Sequence, residues 1–571
     1  MFKFLKPYRT ATILGLAAKF IETILELFLP LLMAKLIKQN FSNFDISYTI
    51  KVSLLVLAII LVNIVLAMLG QFFAAKASTS FGNDLRRSTF KHINSLTFSN
   101  IDKIGAGSLI TRLTNDIASV QQIIFMTIRI GLRAPFIAIG AITMTMILAP
   151  DISLVLISIV LILSLIIVLI VKLNAPVFRD VRKKLDRIAI ITSENISGAR
   201  VVRAYSRQST EIERLTKSAA EYKTATLRAT RLSILMHPIS TLLVQLGIFT
   251  IIVIGAYNYD RTQVANLTAF VTYLTQILLA ITIISNLANV FVRGFTGVLR
   301  INEVLKLPLT ENPKGGICEL SEIDLKSPPI EFKEVSAGYG NSCANILNNI
   351  SFKLESGQKL GIIGGTGSGK SSLISLIPAF YQARSGQVLV FGRNVLEFYP
   401  VFLRKLISVV FQKASLISGT VRDNIAFGRD ISDQEILKAL KTSQSDFVLS
   451  SNDCLDKIIE RDGLNLSGGQ KQRLAIARAL AGDPKILILD DSASALDYAT
   501  NRALNDSIIT NYPSTIQIIV SQRAFAIRET DTILVLDNGN IVGLGCHDDL
   551  VLNNPTYKAI YMSQIPNSGV K

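Results

Sequence analysis

Apolar residues dominate the chain up to about residue 300 and then give way to a shorter alternation. Segments near 11–34, 52–75, 124–148, 152–173, 233–256 and 266–291 each offer a largely apolar run. Roughly twenty such residues span a bilayer as a helix, so the pattern predicts six membrane-spanning helices. The connectors "FGNDLRRSTFKHINSLTF" and "VFRDVRKKLDRIAIITSENI" keep apolar positions three and four apart. That spacing continues spans 2 to 5 as helices well beyond the membrane. "FSNIDKIGAGSLITRLTND" and "GARVVRAYSRQST" carry the breaks expected at the tips of two long hairpins. From residue 330 short apolar strands alternate with helical segments, the pattern of an α/β domain.

The predicted architecture is therefore a multidomain membrane protein, an all-α six-helix transmembrane domain (1–306), a Pro/Gly-containing linker (307–329) and an α/β nucleotide-binding domain (330–571). Half of the 571 residues are apolar and the formal net charge is +17. The basic residues follow the long connectors, including Arg179, Arg182, Lys183, Lys184 and Arg187, so topology explains them better than a nucleic-acid partner. Together with "MFKFLKPYR" they place both termini in the cytoplasm of a multi-pass protein of the cell membrane. The mildly basic segment 35–51 is a weak exception. The first apolar run is span-length and lacks a small-residue cleavage site, unlike a signal peptide.

Cys318, Cys343, Cys454 and Cys546 show no paired spacing and suit a reduced cytosol. Cys546-His547 reads as a surface turn rather than a metal site. In the first span, Lys19, Glu22 and Glu26 share one helix face, as do Arg129 and Arg133 in the third. Intramembrane charges either pair or line a water-filled path, and spacing alone leaves both open. Pro30 and Pro135 are candidate kinks. Phe72, Phe73, Phe125, Met126, Met144 and Met146 suit a pliable apolar pocket, or else packing and lipid contact.

"GIIGGTGSGKSS" carries the chemistry. Gly364, four residues, then Gly369-Lys370-Ser371, between an apolar strand and a helix-like run, matches a phosphate-binding loop. Its glycines turn backbone N–H groups inward. Lys370 reaches terminal phosphates and Ser371 can ligate Mg²⁺. The candidate nucleotide-binding residues here are Gly364, Thr366, Gly367, Ser368, Gly369, Lys370, Ser371 and Ser372. "ILILDD" supplies an acidic partner of the metal, Asp490, at the end of a buried strand.

Between these elements, Leu466-Ser467-Gly468-Gly469-Gln470 resembles the signature of the ATP-binding cassette transporters, and the resemblance covers essentially the whole chain. It implies a half-transporter of the exporter type, using ATP and Mg²⁺, whose cassette pairs head to tail with a second. Ser467, Gly468, Gly469 and Gln470 would then act on ATP held by the partner's phosphate loop. Tyr339 resembles the aromatic that stacks on adenine. Gln412 resembles the glutamine that contacts Mg²⁺ and the attacking water, which makes Ser371, Gln412 and Asp490 the metal set. Glu460 resembles the residue that senses the membrane hairpins, and "SALD" (494–497) the loop joining two ATP sites.

Two positions depart from the family pattern. Asp491 stands where the family usually has a glutamate that orients the attacking water, and Gln522 where it has a histidine. Aspartate is one methylene shorter, a displacement of about 1 Å that can cost about 100-fold. Glutamine carries no transferable proton. The intact signature beside these changes suggests one half of a heterodimer with one degenerate ATP site, against a homodimer with two slow sites. The expected cargo is a small amphipathic, drug-like molecule. A lipid or peptide exporter and a non-transporting pseudo-ATPase regulator are the alternatives.

Overall fold

In a computed structural model, the structure describes residues 2–42, 45–148, 150–258, 265–309, 316–340, 344–451, 453–492 and 496–564. Cys343, Ser494 and Ala495, named above, lie outside them. The chain divides into two compact units, Met1–Ile93 with Gly107–Lys306, and Asn94–Ala106 with Leu307–Lys571.

The first unit is helical throughout. Its elements are α1 (Arg9–Ser42), α2 (Ile46–Asn94), α4 (Ala106–Thr111), α5 (Ile117–Met126), α6 (Arg133–Leu148), α7 (Pro150–Ser197), α8 (Ala199–Ala204), α9 (Gln208–Ile234), α10 (Met236–Asn258) and α11 (Ala265–Leu305), while α3 (Phe98–Ile104) belongs to the second unit. All six apolar stretches fall in helices, and α2 and α7 run on for 49 and 48 residues. Three helical runs among the described residues are long and apolar enough to cross a membrane: Ile46–Asn94, Ala106–Leu148 and Ala265–Ile284. The apolar parts found in α7 and α10 are shorter, Ile157–Ile166 and Pro238–Ile254. α1 carries Lys19, Glu22 and Glu26 near its middle. Leu54, Leu57, Leu61, Val65, Met68 and Phe72 of α2 are exposed, the kind of apolar face that lipid covers.

The charges in α1 are paired. Lys19 Nζ donates to Glu22 Oε2 at 2.6 Å, with both residues buried. Arg133 Nη2 donates to both carboxylate oxygens of Glu26, at 3.0 and 2.8 Å, joining α6 to α1. The guanidinium of Arg129 lies over the Phe125 ring, 5.6 Å from its centre. At the residue after Glu26, the buried Tyr273 hydroxyl of α11 donates to the Leu27 carbonyl at 2.7 Å. Two π-helical turns, Arg112–Asp116 and Thr127–Gly131, interrupt the run from α4 to α6. The second ends just before Pro135, whose missing N–H removes one helical hydrogen bond. Replacing Glu26 by Leu strands the Arg133 charge. We expect it to lower unfolding stability by about 2 kcal/mol, with the pairwise replacement Glu26→Leu/Arg133→Met recovering most of that loss. Thermal melts of the two variants in lipid discs check the order.

The second unit has a six-stranded sheet, a four-stranded antiparallel one and a short two-stranded one. Its strands are β1 (Ile330–Ala337), β2 (Leu347–Leu354), β3 (Leu360–Gly364), β4 (Ser385–Val390), β5 (Arg393–Asn394), β6 (Ile407–Val410), β7 (Gly419–Thr420), β8 (Ile458–Ile459), β9 (Ile486–Asp490), β10 (Ile516–Val520), β11 (Thr532–Asp537) and β12 (Asn540–Gly545). The large sheet runs β12-β11-β3-β10-β9-β6, parallel except for β12, and the second is β2-β1-β4-β5. β3 and β9 are buried at every position, which is why "LGIIG" and "ILILD" read as continuous apolar runs rather than alternating ones. The helices that matter below are α12 (Lys370–Leu376), α13 (Pro400–Leu406), α14 (Val421–Ala426), α15 (Asp433–Thr442), α16 (Asp446–Leu449), α17 (Gly468–Leu480), α18 (Tyr498–Asn511), α19 (His547–Asn553) and α20 (Pro555–Gln564).

The predicted hairpin tips are the short helices α3 and α8. Within the second unit, Phe98 of α3 packs on Phe380 with ring centres 4.7 Å apart, and Asp102 accepts from the Tyr381 hydroxyl at 2.5 Å. Burial and that carboxylate push the Tyr381 hydroxyl's pKa upward, so it remains a donor. His547 faces Tyr557, with Nδ1 and the hydroxyl 2.7 Å apart, and burial lowers its pKa.

Candidate functional site: a phosphate cleft at the strand ends

Parallel strands end on one edge of a sheet, and three of them converge here. β3 leads into the 365–369 loop and α12, β9 ends at Asp490, and β10 leads to Gln522. The resulting cleft of about 390 Å³ is lined by Thr366, Gly367, Gly369, Lys370, Ser371, Ser372, Gln412, Asp490, Asp491 and Gln522, with Ile346 and Val520.

Backbone space dictates the glycines. A Cβ at Gly364 would collide with the Leu536 carbonyl. Gly369 has φ +102°, and a Cβ there would meet Leu347 at 2.8 Å. Lys370 folds back over the loop and donates to the carbonyls of Gly364 and Gly365, each at 2.8 Å. Burial lowers its pKa, against the opposing pull of Asp490 and Asp491. Ser371 Oγ donates to Asp490 Oδ2 at 3.2 Å. Burial raises the Asp490 pKa, with Asp491 adding to it while Ser371 and Lys370 counteract.

These residues fit a phosphate chain with a divalent cation. Ser368 Oγ is buried without a partner inside the loop, a polar atom left for a ligand. Among the described residues no cluster of three His, Cys, Asp or Glu could hold a metal by itself. A cation here would therefore need phosphate oxygens beside Ser371 and Asp490.

Asp491 has φ +47°, in the left-handed region. Its N–H donates to the Val520 carbonyl at 2.9 Å, and its Oδ2 accepts from Gln412 Nε2 at 3.3 Å. Gln522 is exposed at the cleft wall, and its carbonyl accepts from Gln564 Nε2 at 2.8 Å.

The other named residues stand apart from the cleft lining. The Tyr339 hydroxyl lies 3.0 Å from Ser372 Oγ, with its ring edge-on to Tyr381. Ser467 begins α17 with a capping box: its Oγ accepts from the Gln470 N–H at 3.3 Å, and Gln470 Oε1 accepts from the Ser467 N–H at 2.9 Å. The Ser467 hydroxyl proton and the first-turn N–H groups of Gly468 and Gly469 remain to donate outward. Glu460 is exposed, and its N–H donates to Asn465 Oδ1 at 3.1 Å. Asp497 caps α18 by accepting from the Thr500 N–H at 2.9 Å.

Sequence reasoning missed Ile346, Val520 and the Gly539 N–H, which donates to the Ser368 carbonyl at 3.1 Å and supports the loop. Only the "DNGN" turn around Gly539 signalled a backbone of this kind.

Two family models match the chain, the ABC transporter transmembrane region over residues 12–281 and ABC transporter over 347–494. An uncharacterized ABC transporter ATP-binding protein of Bacillus subtilis, YfiB, is 35% identical over 99% of this chain and 98% of its own. Another, from Mycobacterium tuberculosis, is 30% identical over 98% of this chain and 97% of its own. The chain belongs to the ABC transporter family, with a transmembrane region and an ATP-binding domain fused in one polypeptide. Its fold matches that of a bacterial Atm1-family ABC exporter with ATP bound, at TM-score 0.81, 22% identity and 99% coverage of both chains.

Proposed function

We propose that this protein is one subunit of an ATP-driven exporter in the cell membrane, paired with a different half-transporter. In this reading residues 1–306 form the transmembrane domain, 307–329 the linker and 330–571 the cassette, with both termini cytoplasmic. The cargo is a small amphipathic molecule carried outward. The observation that carries the reading is the pairing of Asp491 and Gln522 in a cleft that otherwise has its phosphate-loop residues, in a chain with an intact signature.

MgATP supplies the phosphoanhydride whose hydrolysis drives transport. Lys370, Ser368 and the loop N–H groups bind the phosphates, while Ser371, Asp490 and Gln412 bear on the cation. Tyr339 offers its ring to the base. Asp491, tied to Gln412 and short by one methylene, is poorly placed to orient water. Gln522 contributes a hydrogen bond and no proton. Loss of a positioned base costs roughly 10²–10⁴-fold, so this site holds ATP and turns it over slowly. Ser467, Gly468, Gly469 and Gln470 serve the partner's ATP. ATP-dependent uptake of an amphipathic dye into inverted vesicles that contain both chains tests export. Uptake no greater than in vesicles with the partner alone rejects it in favour of a passive subunit.

Asp491→Glu alone should gain less than about tenfold in ATP turnover. The longer carboxylate meets the same unproductive Gln522. The position's φ of +47° is also one that aspartate tolerates better than glutamate. Steady-state phosphate release from the purified variant checks this.

A further inference from the structure

A second cavity in the second unit, about 450 Å³, is distinct from the phosphate cleft. It opens at the opposite ends of the same strands. Lys359 immediately precedes β3, Lys485 precedes β9, and Gln517 is the second residue of β10. Five-residue strands separate it from the phosphate loop by about 15 Å. Its volume lies within the roughly 300–1,000 Å³ typical of small-molecule pockets.

Three features of the wall want a ligand. Gln517 is 3% exposed, and its carboxamide makes no side-chain hydrogen bond among the described residues. Neither Lys359 nor Lys485 forms an ion pair or side-chain hydrogen bond among the described residues, and no acidic side chain lines this cavity. Two like charges on one wall repel each other and attract an anion. The remaining surface is mixed, with Phe391, Tyr512 and Pro513 as its apolar part beside Ser356, Gln358 and Ser514. Free phosphate would meet the cations but leave that apolar part wet.

We propose that this cavity binds a small organic anion, a phosphate or carboxylate on an apolar body, with Lys359 and Lys485 holding the anion and Gln517 hydrogen-bonding the ligand. The site is separate from the ATP cleft. No residue lines both.

Titration calorimetry with 1-naphthyl phosphate on the full-length chain in lipid discs tests it, with empty discs as the blank. The expected result is saturable binding of one molecule per chain. Lys359→Ala and Lys485→Ala should each weaken it about tenfold, the effect of one charge-assisted hydrogen bond. Lys485→Arg should keep most of the affinity, and Lys370→Ala, which alters the ATP cleft, should leave it unchanged. Both lysines lie at the cavity rim, and an unchanged melting temperature shows that the variants are folded. No saturable heat above the blank overturns the proposal. So does binding that Lys370→Ala abolishes while the Lys359 and Lys485 variants retain it. Inorganic phosphate binding as tightly as the aryl phosphate overturns the assignment to an organic anion.

Discussion

Gly468→Asp is expected to abolish nearly all ATP turnover by the assembled transporter, whereas Asp491→Asn leaves most of it. Both residues lie in one cassette, so a difference in this direction depends on which ATP each one serves. The Gly468 N–H begins α17 beside the Ser467 cap. A Cβ there meets nothing within 4 Å in this chain, and an aspartate in the first helical turn suits the helix dipole. The substitution is therefore tolerated by the fold itself. On the proposed reading, what it opposes is a γ-phosphate approaching the N–H groups from a partner. Like charges brought together in a partly desolvated interface cost several kcal/mol, enough for a loss of at least about 100-fold. On the proposed reading, Asp491→Asn removes a carboxylate from a site that turns over slowly. Phosphate release by the co-purified pair measures both; equal losses would place the working chemistry in this chain's own cleft.

The second large effect concerns nucleotide retention. Lys370→Ala is expected to reduce ATP bound at this chain's cleft by about tenfold or more. It removes a buried ammonium that lies among two carbonyls and two carboxylates and would face the phosphates. Turnover at the partner's loop should fall far less. Photo-crosslinking with an azido-ATP, resolved by chain on a gel, reads the two sites separately. Undiminished labelling of this chain would remove Lys370 from the phosphate ligands.

Much of the cleft was legible because its chemistry lies in contiguous spacing. "GGTGSGKSS" places a loop, a cation and a hydroxyl within one turn of chain, and the apolar run before Asp490 marks a central strand. The shape of Asp491 was not legible. Its identity suggested a short reach, but its left-handed backbone and its bond to Gln412 depend on residues 79 positions apart. In the first unit, Lys19 and Glu22 pair across one helical turn, where spacing suffices. Glu26 and Arg133 pair across 107 positions, and no local pattern encodes that choice. The π-helical turns were likewise hidden, since each differs from an α-helical turn only in bonding one residue further along the chain, which no single residue type dictates. The cavity around Gln517 had no sequence signal either. A glutamine inside "IQIIV" reads as one polar break in a strand, and only the fold brings Lys359 and Lys485 to the same edge.

If this chain's own site is slow, rapid turnover requires a different partner. Steady-state ATPase of the chain purified alone, compared with the same chain co-purified with its partner, tests it most directly. The chain alone, even at concentrations where it self-associates, is expected to run at least about 100-fold more slowly per ATP site than the pair, in line with the loss of a positioned base. Equal rates per site would contradict it, and would make Asp491 a competent catalytic carboxylate in a homodimer.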